Sequence, residues 1–169
     1  MTQSTLTPSR LWKRMTSDQR FEAGRAFFAD EQATDDQIQA ILLISQQKKF
    51  RPKTVLALET DRKARHFASL MTLSDPLAAR VLVAYHLATQ RPMMGAFLDA
   101  LGIAHENGLI QEDAVKPDPA KVLAAAAAIA GQFSPEQVSL YLNTLLCQDP
   151  ETWGALADVP QRADPLRDA

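Results

Sequence analysis

The residues of this chain whose types suit proton transfer or metal binding are His86, Asp99, His105 and Glu106, two imidazoles with two carboxylates close by in sequence. If Arg91-Pro92 turns the chain between two helices, His86 comes back toward Asp99, with His105 and Glu106 on a loop that carries Gly108. Imidazole and carboxylate in one cleft are the parts of an acid/base pair or a zinc site. The spacing carries no metal signature, because HExxH, CxxC and histidines at i,i+4 are all absent. Met93 and Met94 open the next helix beside Gly95, Ala96 and Phe97, and flexible thioethers can line an apolar pocket or fill gaps in a core. One reading is therefore a small-ligand site, or an enzyme of unassigned chemistry, at His86, Met93, Met94, Asp99 and His105. It implies no metal and no cofactor, and hydrogen-bonded structural histidines are the plainer account.

A second constellation is electrostatic. Residues 1–91 carry 14 Lys/Arg against 9 Asp/Glu, and residues 92–169 carry 4 against 11, so a formal net charge of -2 conceals halves of opposite sign. The positive excess is densest at residues 48–65, where Lys48, Lys49, Arg51, Lys53, Arg62, Lys63 and Arg65 face only Glu59 and Asp61. Lys48 and Lys49 close a helix, where cations suit the negative end of its dipole. Arg62 and Lys63 differ: if Thr60 caps the following helix they lie in its first turn, where exposed N–H groups beside cations can hold an anion. Arg62, Arg65 and His66 then share that helix's outer face, with Ala64, Phe67 and Met71 turned inward. Such a face is a solvated surface, a site for an acidic protein or a site for nucleic acid. Phe50 and Phe67 interleave with the charges and could stack on bases, but both read better as core. The sequence pI of about 5.9 also weighs against a dedicated nucleic-acid binder.

Other chemistry is poorly supported. Cys147 lies in an apolar helical stripe with Val138, Tyr141, Leu142 and Leu145, the setting of a small buried hydrophobe and not of a thiolate nucleophile. As the single cysteine it can form no intramolecular disulfide, as expected of a protein in a reducing compartment. There is no Walker-type loop, GxGxxG, GxSxG or EF-hand loop. Nothing in the sequence resembles a known family closely enough to carry a function over.

The elements that must position these residues are helical. Thr16-Ser17-Asp18-Gln19, Thr34-Asp35-Asp36-Gln37 and Ser134-Pro135-Glu136-Gln137 each fit a capping box. With apolar residues recurring at three and four, they predict helices near 9–15, 17–30, 35–49, 53–58, 61–72, 75–90, 92–101, 119–132, 135–148 and 150–157. Gly102-Ile103 suits a Schellman stop. Asn107-Gly108 is a good hairpin turn, but its flanks barely alternate, which favours a plain loop over a hairpin. Pro52, Pro92 and Pro135, 40 and 43 residues apart, each open a helix and hint at HEAT-like hairpins, although any antiparallel bundle shows the same pattern.

These features predict an all-α fold, a compact bundle of antiparallel helical hairpins with about eight to ten helices. The expected organisation is one domain over 1–157, with a division into lobes at the Pro117 and Pro119 linker (116–119) and a flexible tail over 158–169. The N-terminal residues do not read as a secretory signal, and no apolar run is long enough to span a bilayer. The function expected is a cytoplasmic interaction module that binds a protein partner or itself through the charged face at Lys48, Lys49, Arg51, Lys53, Arg62, Lys63, Arg65 and His66. Nucleic-acid binding through the same segment and the small-ligand or enzyme site are the alternatives.

Overall fold

The computed structural model describes residues 6–111 and 116–162. Among them are ten α-helices: α1 (Pro8–Arg14), α2 (Ser17–Ala29), α3 (Thr34–Lys48), α4 (Pro52–Leu56), α5 (Thr60–Ala68), α6 (Asp75–Thr89), α7 (Arg91–Leu101), α8 (Pro119–Ala130), α9 (Pro135–Gln148) and α10 (Pro150–Trp153). Two 3-10 turns follow, Gly154–Asp158 and Pro160–Arg162. The strands are β1 (His105–Glu106) and β2 (Leu109–Ile110), paired antiparallel. The fold is all-α, and no helix among the described residues is long and apolar enough to cross a membrane.

The chain divides into two compact units, one of Thr7–Ala88 and one that groups Leu6 with the residues from Thr89 onward. The Pro117 and Pro119 linker lies inside the second of these.

In the first unit the tightest pairing is between α2 and α5, two helices that are not consecutive. Gly24 makes it close: a Cβ there would lie 3.1 Å from Cα of Ala64 and 3.2 Å from its carbonyl oxygen, so the absence of a side chain sets the helix separation. Around this crossing Trp12, Phe27 and Phe67 are fully buried, with Phe67 5.2 Å from Trp12 and stacked at 5.6 Å on Phe27. Each such side chain contributes about 2–3 kcal/mol through area removed from water. The polar edges of the cluster are satisfied across the unit. Trp12 Nε1 donates to the Leu70 carbonyl at 2.6 Å, and Arg20 donates from Nε to Ala68 O at 2.9 Å and from Nη1 to Met15 O at 2.6 Å. Asp75 accepts from the Ser9 backbone at 3.1 Å, and Arg80 pairs with Asp36, tying α6 to α3.

In the second unit α7 packs along α8, whose buried residues are Val122, Ala125, Ala126 and Ile129. Phe97 meets Tyr141 edge-on at 5.6 Å and Trp153 at 5.8 Å, which joins α7, α9 and α10. Residues 158–162, expected in a flexible tail, are instead packed. Val159 is buried, and the Arg162 carbonyl accepts from Ser139 Oγ and Asn143 Nδ2, each at 2.9 Å. Residues 163–169 of that tail lie outside the described residues.

Local signals explain most helix ends. Thr16 forms a complete capping box with Gln19, at 3.1 and 2.9 Å. Ser134 caps α9 with Pro135 at its first position. Thr34 does not cap α3: Ala33 holds that position and Gln37 turns away to bond Phe27 O and Asp30 O, because two accessible carbonyls of the α2 end outcompete a reach back to one N–H. Gly102, at φ 70, gives the Schellman stop, with Ile103 N–H on Leu98 O at 3.0 Å. The segment read as a plain loop is a hairpin. Asn107 and Gly108 both take positive φ, 49 and 90, and the two-residue turn they form closes strands of only two residues each.

Candidate functional site

The basic residues all lie in the first unit. Lys48 ends α3, Lys49 follows in the left-handed region at φ 57, Arg51 precedes α4 and Lys53 lies within it. Arg62, Lys63, Arg65 and His66 lie on α5. Glu59, not Thr60, occupies the cap of α5, and it makes no side-chain capping bond. Phe50 brings the two groups together, since its ring meets His66 edge-on at 5.4 Å and sets the turn after α3 against α5.

The segment splits into two behaviours. Lys63 and Arg65 are engaged by aromatic rings of α2: Lys63 Nζ lies 6.0 Å from the Phe28 ring, and the Arg65 guanidinium 5.5 Å from the Phe21 ring. Arg25 lies 5.8 Å from that same Phe21 ring and pairs with Asp61 at 3.1 Å, so one of the two acids near the basic segment is already neutralised. Lys48, Lys49, Arg51, Lys53 and Arg62, by contrast, are exposed, and none of them forms an ion pair among the described residues. Two inward assignments are corrected. Phe50 is 40 % exposed, because the left-handed Lys49 turns the chain outward before it. Met71 is also exposed, because α5 stops at Ala68 and its inward face stops with it. Leu56, at 59 % exposure, adds a second large apolar side chain to the segment.

Sequence reasoning missed Phe21 and Arg25. Their spacing of four marks a shared helix face. That Arg65 joins them depends on the α2 to α5 pairing, which no local pattern announces.

Asp99 and His105 do meet, within the second unit. His105 Nδ1 accepts the Gly108 N–H at 3.1 Å, which places the ring proton on Nε2, and Nε2 donates to Asp99 Oδ1 at 2.7 Å. Both ring nitrogens are thereby occupied. Arg91 Nη1 donates to the Asn107 carbonyl at 2.7 Å, and Met94 lies directly beneath Gly108, where a Cβ would stand 2.8 Å from its own. Arg91, Met94, Asp99 and His105 together clip the hairpin to α7, and Met93 is fully buried. Glu106 is exposed on β1. His86 belongs to the first unit, is buried, and lies 5.3 Å from the Tyr85 ring. Burial disfavours its charged form and pushes its pKa down to about 3, so at neutral pH it is an uncharged core group.

Burial likewise pushes the Tyr141 hydroxyl up, and Cys147 is half-buried, with its thiol toward Thr144 O at 3.5 Å. Asp149 is held below the usual carboxylate range, chiefly by side-chain and backbone bonds to Thr152 at the start of α10. No group of three or more His, Cys, Asp or Glu among the described residues could hold a metal. No family model, no curated protein and no solved structure matches the chain, so its function is argued from these residues alone.

Proposed function

We propose that the chain is a helical protein-interaction module whose contact surface is the basic face formed by the end of α3, by α4 and by the start of α5. The observation that carries this reading is the set of exposed cations Lys48, Lys49, Arg51, Lys53 and Arg62, which make no ion pair among the described residues, with Phe50 and Leu56 exposed between them. Five like charges on one face raise a local positive potential that attracts and orients an acidic partner. The two apolar side chains supply what charge alone does not. Burying each against a partner is worth about 1–3 kcal/mol, and an apolar centre inside a polar rim is the usual anatomy of an interface. Lys63 and Arg65 belong to the supporting structure, since α2 rings already hold them.

The test compares the immobilised wild-type chain with a Lys48→Glu/Lys53→Glu/Arg62→Glu variant as bait in host lysate, with and without nuclease. Proteins held by the wild type after nuclease and lost by the variant are the expected outcome. Equal capture by both baits overturns the reading. Loss of capture on nuclease treatment overturns it in favour of nucleic acid.

A further inference from the structure

Helix α3 is apolar on two sides. Ala40, Ile41 and Ile44 are buried and form its inner face. On the side away from them Ile38 and Leu42 are 49 % and 50 % exposed, although both are large and apolar. They belong to a stripe with Asp35, Ser45 and Lys49, at spacings of three, four, three and four, which is the seam pattern of a helix that pairs with another. The stripe is apolar in the middle and charged at both ends. Asp35 in the first turn, and Lys48 and Lys49 at the far end, are exposed, and none of the three forms an ion pair among the described residues. Asp36, by contrast, is taken up by Arg80. A helix that covers this stripe must bring apolar side chains to its middle, an anion to its basic end and a cation to its acidic end. The same helix from another copy, reversed, meets all three demands. Laid parallel, it would set Asp35 on Asp35 and Lys49 on Lys49.

We infer that α3 is a homodimer contact, its outer stripe packing antiparallel on the same stripe of a second copy of this chain across a two-fold axis. Ile38 of each copy lies against Leu42 of the other, which makes two apolar layers at the centre. At 1.5 Å of rise per residue, Asp35 then stands opposite Ser45 of the second copy and about 6 Å along the axis from its Lys49, within reach of a lysine side chain. The contact is isologous, so it closes at two copies. All five residues of the stripe lie in the first unit, four on α3 itself and Lys49 directly after it. The stripe uses none of Arg51, Lys53 and Arg62, so the pairing stands apart from capture of an acidic partner by the basic face. One helix a side is a small interface, and the association is accordingly weak.

The experiment is sedimentation equilibrium on the full chain, from about 5 µM to about 500 µM, a range that brackets weak association. It uses the wild type, Leu42→Glu, Asp35→Lys and the double variant Asp35→Lys/Lys49→Glu, with circular dichroism confirming that all four are folded. The wild type is expected to rise with concentration from the 18.6 kDa protomer mass toward twice that value and no further. Leu42→Glu changes an exposed side chain, so the fold is kept, but it sets carboxylates at the centre of the contact and stays at protomer mass throughout. Asp35→Lys meets Lys49 of the other copy at both ends, because the two-fold axis makes each substitution act twice, and weakens the dimer about tenfold. Adding Lys49→Glu restores the attraction and the dimer with it. A wild type at protomer mass at every concentration, a species larger than a dimer, a Leu42→Glu chain that dimerises like the wild type, or a double variant no tighter than Asp35→Lys overturns the inference. Lysate capture by the basic face is read separately and does not depend on these outcomes.

Discussion

Acid should destabilise this protein through His86 well before its carboxylates titrate. The unfolded chain takes a proton on that ring near the ordinary value of 6.5, whereas the buried ring resists it until about 3. Between those values the unfolded state binds a proton that the folded state refuses. The stability is therefore complete above pH 6.5 and is lost as pH falls toward 3. The loss amounts to somewhat more than ~1 kcal/mol per pH unit, or about 2 kcal/mol by pH 5, a large share of the roughly 5–15 kcal/mol that holds a typical domain together. His86→Phe keeps a ring beside Tyr85 and removes the titration. Urea unfolding of both proteins, followed by fluorescence of the buried Trp12 and Trp153, gives the comparison between pH 7.5 and pH 5. His66, His105 and every carboxylate are common to the two chains, so their contributions cancel in the difference. The wild type should lose about 2 kcal/mol relative to the variant across that range, whatever the variant's absolute stability. Parallel pH dependence in the two proteins would show that His86 charges without cost, and the argument from burial would be wrong.

Three further outcomes follow from the packing. Gly24→Ala gains about 1 kcal/mol of helix propensity but forces a methyl against the Ala64 backbone, so a net loss of about 1–2 kcal/mol is expected in urea melts. Gly108→Ala should cost about 2 kcal/mol or more, because positive φ and the 2.8 Å approach to Met94 act together, whereas Gly102→Ala, with nothing within 4 Å of the added Cβ, should cost only about 1 kcal/mol; equal losses would mean that Met94 moves aside freely. Asn143→Ala removes one of the two side-chain donors to the Arg162 carbonyl, and a loss of about 1–2 kcal/mol with faster tryptic cleavage after Arg162 is the expected signature.

Much of the secondary structure was legible because its determinants are local. Thr16 with Gln19, Ser134 with Pro135, and Gly102 with Ile103 all act within six residues, and the structure realises each of them. The failures share a cause of the opposite kind. The sequence offers Gln37 as half of a capping box, but the end of α2 gives it two carbonyls, a choice that depends on where a neighbouring helix stops. The hairpin is faint in the sequence because strands of two residues have almost no alternation to read. It is held instead by Arg91, Met94 and Asp99, side chains on a helix that periodicity alone could not place beneath it. At the basic face, charge density was visible in the sequence. The separation of Lys63 and Arg65, seated on α2 rings, from the five open cations was not, because it follows from the pairing of α2 with α5.

That pairing also sets an order of events during synthesis. Trp12 and Phe27 have no lasting cover until Phe67 arrives, and Gly24 waits 40 residues for Ala64. At about 5–20 residues per second the nascent chain spends roughly 2–8 s with these rings uncovered, while α3 and α4 emerge as an excursion that must be closed before the core exists. A helical protein is often assumed to fold as it appears, turn by turn, from local contacts. The first unit instead behaves like a clasp whose second half is delivered late. Anything that slows translation between residues 30 and 60 lengthens the period in which its aromatic surface is available to chaperones, or to other copies of itself.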